Sequence, residues 1–190
     1  MRAPDRPSPA SAALAARIGL RLRELRTARG LSLSELARRS GVGKATLSEL
    51  ESGRRNPTLE TLYALTTALG LPLGAALHEP GAAVSGPALH EPGAAVSGLA
   101  LDAVLLDRFE DAAAVSETYR IRIRPGAVQH SAAHTRGTVE HLVVLSGTAR
   151  VGDATVGPGG HHTWAADVPH SYRATGSEVE AVLTIRHPRS

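Results

Sequence analysis

Cysteine is missing from all 190 residues, so disulfides, thiolate metal sites and cysteine nucleophiles are excluded. Long apolar runs are missing too. No stretch approaches the ~20 apolar residues that a membrane-spanning helix needs. The opening MRAPDRPSPASAA carries Pro, Ser and Ala where a secretory signal would carry a continuous apolar block. The reading is a cytoplasmic protein with no membrane partner. Lysine is nearly absent: Lys44 stands alone among 21 Lys and Arg residues. We read this arginine bias as codon usage, with no mechanism attached.

Hydrophobic residues make up 42% and charged residues 21%, close to the average for globular chains, so a folded core is expected. The net charge of +3 is unevenly placed. Residues 1–72 hold 12 Arg and Lys against 6 Asp and Glu, whereas residues 73–190 hold 9 against 12. A basic first part joined to an acidic second part suggests that only the first meets a polyanion.

Residues 14–77 read as helical, after a disordered tail over 1–13. Ile18, Leu22 and Leu25 fall on one helix face, and Gly30 ends that helix. Ser32, with Glu35 three residues on, has the form of a capping box. Leu33, Leu36 and Ala37 form the apolar stripe of a short second helix, closed by Gly41. A third runs from Lys44 to Glu51 with Leu47 and Leu50 inward. Thr58 is the expected N-cap of a fourth, whose Leu59, Leu62, Leu65 and Leu69 face the core until Gly70. A short fifth helix follows from about Leu73 to Leu77.

An internal duplication comes next. Ala76–Gly86 and Ala88–Gly98 both read ALHEPGAAVSG. Two copies are too few for a solenoid, and the Gly, Pro and Ala content reads as a lengthened linker over 78–99. The alternative is a metal site made of His78, Glu79, His90 and Glu91. From about residue 100 the hydrophobic period changes to two. Tyr119, Ile121 and Ile123 alternate with Arg120, Arg122 and Arg124, and Val179, Ala181, Leu183 and Ile185 alternate with more polar neighbours. This is the pattern of an all-β sandwich or barrel, here over 100–187. The expected class is therefore a two-domain α + β chain.

Two short capped helices joined by Gly41-Val42-Gly43 have helix-turn-helix spacing. Residues 18–70 resemble the XRE family of phage-repressor-like helix-turn-helix domains. The match is carried by Gly30, Leu31, Leu36, Ala37, Gly41, Val42, Leu47, Ser48, Glu51, Gly53, Asn56, Pro57, Leu62 and Leu69 within LRELRTARGLSLSELARRSGVGKATLSELESGRRNPTLETLYALTTALGLPL. The resemblance implies a partner in double-stranded DNA. A recognition helix in the major groove would present Lys44, Ala45, Thr46, Ser48 and Glu49 to base edges. Ser32, Arg54 and Arg55 would hold phosphates.

Residues 100–187 resemble a cupin, a double-stranded β-helix barrel, through PGAVQHSAAHTRGTVEHLVVLSGTARV and VGPGGHHTWAADVPHSYRA. The family holds a metal with two His and a Glu in the first segment and one His in the second. His134, Glu140 and His170 match three of these positions. Ala132 stands where another His belongs, Ala174 where Asn is frequent, and Gly160 where Asp is usual. Strand alternation places His130, Ala132 and His134 on one face, so His130 is a substitute ligand. The expectation is a pocket of His134, Glu140, His170 and Trp164, with a polar hydrogen-bonded cluster as the alternative to a weakly bound divalent metal. No cofactor is required and no catalytic residue is assigned. His141 should face away from Glu140, and His161 and His162 should sit at a turn on the surface.

The implied function is a transcription regulator that senses a small-molecule effector. A homodimer would read an inverted repeat. The rival readings are a metal-dependent cupin enzyme fused to a DNA-binding domain, and an antitoxin-like repressor that binds a partner protein.

Overall fold

The computed structural model describes residues 9–77 and 95–189. The four His and Glu residues of the duplication, His78, Glu79, His90 and Glu91, lie outside the described residues.

Five helices come first: α1 (Pro9–Ala28), α2 (Leu33–Ser40), α3 (Lys44–Glu51), α4 (Leu59–Ala68) and α5 (Gly74–Leu77). The first helix starts inside the stretch read as a tail. Proline fixes φ near the helical value and is favoured at the first helical position, and the alanines that follow are strong helix formers. Ile18, Leu22 and Leu25 of α1 pack with Leu36, Leu47, Leu50, Leu62 and Leu65 in one leucine-rich core. The caps are where the sequence places them. Ser32 Oγ accepts from the Glu35 amide at 3.1 Å, and Thr58 Oγ1 accepts from the Thr61 amide at 3.3 Å. Ser32 and Glu35 do not form a full capping box, because the Glu35 carboxylate turns to Arg38 and Arg39. These two guanidiniums hold its carboxyl down at about 2. Gly19 lets α1 cross α3 closely: a Cβ there would overlap the Leu50 carbonyl oxygen. Among the described residues no helix is long and apolar enough to cross a membrane.

Ten strands follow: β1 (Ala95–Ser97), β2 (Leu101–Glu110), β3 (Ala114–Ile123), β4 (Val128–Ser131), β5 (Val139–Ser146), β6 (Ala149–Val151), β7 (Ala154–Val156), β8 (His161–Ala165), β9 (His170–Ala174) and β10 (Val179–Pro188). They form a six-stranded sheet in the order β1-β2-β3-β10-β5-β8 and a four-stranded sheet in the order β4-β9-β6-β7. Neighbours pair antiparallel. Alternation accounts for the long strands. Tyr119, Ile121 and Ile123 are buried while Arg120 and Arg122 are exposed, and Val179, Ala181, Leu183 and Ile185 are buried along β10. β1 falls inside the stretch read as linker. Residues 95–97 pair with Asp102–Val104, and Val96 is buried against the edge that β2 offers.

Candidate functional site

The helix-turn-helix pair is α2 and α3. Gly41 closes α2 at φ 70, a left-handed conformation that glycine adopts without a steric penalty. Leu47 and Leu50 of α3 are buried, which turns Lys44 and Ala45 to the exposed side. A clamp fixes α3 against α1. Arg26 Nε and Nη2 donate to the two Glu51 oxygens at 2.7 and 2.8 Å, and Arg26 Nη1 donates to the Leu31 carbonyl at 2.7 Å. The two side chains are only 12% and 7% exposed. The bond from Glu51 raises the guanidinium pKa further. In the sequence, Glu51 stands out only as part of the family resemblance. Its partner lies 25 residues away on another helix, so no local spacing announces the pair.

Lys44, Ala45 and Arg54 stand exposed. Ser48 is half-buried, and Ser32 is already engaged as the α2 cap. Thr46, Glu49 and Arg55 are brought together: Arg55 Nη1 donates to Thr46 Oγ1 at 3.3 Å and to Glu49 Oε2 at 3.2 Å.

Inside the barrel, His134, Glu140 and His170 converge. Their candidate ligand atoms all lie within 4.8 Å of one another. Glu140 is the centre. His134 Nε2 lies 2.7 Å from Oε1, His170 Nε2 lies 3.4 Å from Oε2, and the Tyr172 hydroxyl donates to Oε2. The side chains of His134, Glu140 and His170 are 5%, 0% and 6% exposed. Burial pushes the Glu140 carboxyl up, but the hydrogen bonds from His134 and His170 outweigh it and hold it at about 2. Burial also lowers His170, and the bond to Glu140 more than reverses that. His170 Nδ1 lies 3.0 Å from the Val168 carbonyl. That contact places one proton on Nδ1 and turns Nε2–H toward Glu140, so that a bound metal would take the place of the Nε2 proton. Two imidazoles and an anionic carboxylate at these separations fit a divalent ion such as zinc, iron or manganese.

His130 does not join them. β4 ends at Ser131, so alternation is not carried through to His134, and within β4 Gln129 and Ser131 are buried while His130 is exposed. The imidazole faces an outer cavity of about 720 Å³, whose walls include Val151, His162, Trp164, Val168 and His170. Trp164 is thus a pocket wall. It pairs in register with Glu140, and its indole N–H is buried with no hydrogen-bond partner among the described residues. His161 and His162 lie on β8 and not in a turn, because β5 supplies a pairing edge for them at Val143 and Leu142. His162 stacks on Trp164 with ring centroids 5.4 Å apart. His141 points to the other face, as alternation requires, and bonds Thr163.

Three site neighbours are absent from the sequence-based set, among them His187 of β10, whose ring lies 5.6 Å from that of His134. Tyr172 is legible in principle, since it lies two residues after His170 on one strand and so shares its face. Tyr63 is not, because it arrives from α4: its ring meets His134 edge-on at 5.3 Å. A second buried carboxylate, Glu117, accepts from the Tyr119 hydroxyl at 2.6 Å and from the Gly74 amide at 3.1 Å. Burial keeps its pKa above the ordinary range despite those bonds. The barrel therefore holds one carboxylate pushed toward the anion and one pushed toward the acid.

The family model described as "HTH_3: Helix-turn-helix" matches residues 22–75. The HTH-type transcriptional regulator SutR of Escherichia coli is 33% identical over 175 residues, covering 89% of this chain and 94% of that protein. Transcriptional regulator ClgR of Mycobacterium tuberculosis is 41% identical over 64 residues, 34% of this chain and 57% of its own. A solved HTH_3 family transcriptional regulator from Vibrio cholerae superimposes with a TM-score of 0.74 at 24% identity, over 94% of this chain and 99% of that one. That likeness bears on the fold, and it takes in helices and barrel together. With the α2–α3 pair held for reading DNA and a two-sheet barrel of the expected cupin-like fold behind it, the chain belongs to the XRE-type helix-turn-helix transcriptional regulators.

Proposed function

We propose that the barrel senses a small-molecule effector and passes its occupancy to the DNA-binding helices, and that the chain acts as a cytoplasmic homodimer on an inverted repeat without catalysing a reaction. One observation carries the sensing role. His170 lines an outer cavity large enough for a metabolite, and His134 and Glu140 lie buried behind it within reach of its ring. The indole N–H of Trp164 is buried without a partner behind the cavity wall, and an effector that shifts the ring to reach it would have to offer a hydrogen-bond acceptor. A divalent ion would be held by His134, Glu140 and His170, and when bound would supply a Lewis acid for that acceptor. Functionally, the helical residues through 77 serve as the reading domain and the strand-forming residues from 95 on as the sensor. On the reading side, Lys44, Ala45, Thr46, Ser48 and Glu49 address bases, and Ser32, Arg54 and Arg55 address phosphates.

Elemental analysis of protein purified without chelator or added metal tests the metal. The expected result is divalent metal below one equivalent, lost in His170→Ala and retained in His130→Ala, whose imidazole faces outward. A stoichiometric redox metal together with turnover would favour the enzyme reading, which the two-histidine, one-carboxylate set also supports. No metal, and no thermal stabilisation by any carboxylate metabolite, would remove the sensor reading.

Selection from random duplexes followed by footprinting should recover an inverted repeat with half-sites about one helical turn apart. Against that duplex, Lys44→Ala should relax preference at one base position by roughly 1–3 kcal/mol, while Arg54→Ala weakens all duplexes alike. Equal losses on selected and scrambled DNA for Lys44→Ala would remove the base-reading role.

A further inference from the structure

The reading domain and the barrel meet along α4 and α5. Glu60 Oε1 accepts from the Leu99 amide at 2.8 Å and from Gln129 Nε2 at 2.9 Å. The Gly74 amide donates to Glu117 across the same seam. Gly98 lies close against this pair: a Cβ there would come within 2.6 Å of Gln129 Oε1 and 2.7 Å of Glu60 Oε1 and would push both side-chain ends aside. Between these polar contacts, Leu59, Tyr63 and Leu73 face Leu101, Ala103, Ile121 and Leu183 around a gap of about 10 Å³. Such a gap is at the lower limit for a single water. The seam is packed, and α4 is its reading-domain side.

We infer that the barrel site is shared between the two domains, with Tyr63 of the reading domain as the wall against His134 through which α4 feels what occupies the cluster. The inference rests on the effector reading above and deepens it by assigning the route. The His134 ring is hemmed on several sides: Glu140 at 2.7 Å, His170 and His187 with centroids at 5.7 and 5.6 Å, and Tyr63 at 5.3 Å. An ion or ligand that takes His134 Nε2 competes with its hydrogen bond to Glu140, so the ring must turn. A packed interior does not absorb that turn locally. The movable neighbour that belongs to the other domain is Tyr63. On the far side of α4, Leu62 and Leu65 enter the helical core, where α4 packs against α2 and α2 in turn packs against the recognition helix α3. Tyr63 is thus a positioning residue: it touches the site and moves the reader.

A double-mutant cycle in the full chain tests this without knowledge of the effector. The probe is the duplex recovered by selection. His134→Ala is expected to change its Kd about 5-fold or more, the lower end of ordinary coupling between sites. In a Tyr63→Ala background the same substitution should leave Kd unchanged within about twofold, and Tyr63→Phe, which keeps the ring, should restore the response. Deuterium exchange without DNA gives a second measurement: His134→Ala should speed exchange across Leu59–Ala68, and Tyr63→Ala should speed it in the 132–140 segment. The inference is overturned if His134→Ala acts equally in both backgrounds, or if each substitution disturbs exchange only within its own domain. An intact cycle in protein that holds neither metal nor effector would support the route and count against the effector reading alone.

Discussion

Glu51→Ala should abolish DNA binding by the chain and lower the stability of its helical domain by up to about 3 kcal/mol, the lower end of what removing one partner from a buried ion pair costs, because this pair is only part-buried. The variant leaves the Arg26 guanidinium part-buried with the Leu31 carbonyl as its remaining acceptor among the described residues. Two charge-assisted hydrogen bonds are lost, at 2.7 and 2.8 Å. They hold the last residue of α3 to α1, close to where Gly19 meets Leu50, so their loss frees the end of the recognition helix. Glu51→Gln keeps one acceptor and should lose less. Replacing both partners with leucine should recover much of the stability, since no unpaired charge then remains. Far-UV circular dichroism through a urea titration, with duplex binding in parallel, reads both effects. A loss under about 1 kcal/mol is what an exposed pair gives, and it would mean that the clamp does not carry α3.

Glu140→Ala should be the most damaging single substitution in the barrel, at about 3 kcal/mol or more. His134 and Tyr172 both lose a charged acceptor, and His170 loses the carboxylate that keeps its pKa high. The carboxyl at about 2 lies below its usual 4.5. Its contribution is therefore fully present above about pH 4.5 and is lost as pH falls toward 2. Wild-type protein freed of metal should lose barrel stability over that range, and Glu140→Ala should lack this acid-dependent component. Trp164, the single Trp, has its ring 5.9 Å from His170 and 6.0 Å from Tyr172, so its fluorescence reports the site directly. A variant with an unaltered unfolding midpoint would show that the three contacts contribute nothing net.

Much of this is legible in the sequence because it is local or periodic. The Ser32 and Thr58 caps, the glycine that ends each early helix, and the alternation along 119–123 and 179–185 each need only a few neighbouring residues to be recognised. His134, Glu140 and His170 are found only because two segments resemble the cupin pattern. What escapes depends on chain returning from a distance. Arg26 finds Glu51 across two helices. Tyr63 reaches His134 from another domain. Alternation counted through Ala132 misassigns His130, because periodicity gives no sign that β4 stops at Ser131. The start of α1 at Pro9 is missed because a Pro- and Ser-rich composition outweighs the helical preference of the alanines behind it.

Arg55 spends the DNA-free state bound to Glu49 and Thr46. A carboxylate on a reading helix is a liability during search, since every duplex it approaches is lined with phosphates. With Arg55 laid over it, Glu49 meets a wrong sequence as half of a neutral pair. The helix could then approach the duplex through Lys44, its one cation, and the following Arg54 without local repulsion. Opening the pair costs little, because both side chains are about half exposed, at 53% and 47%. If Glu49 reads a base and Arg55 a phosphate, as proposed above, that small cost would be recovered only where the groove offers Glu49 a donor. Discrimination would then lie in an exchange of partners that keeps the selective group sheathed in transit.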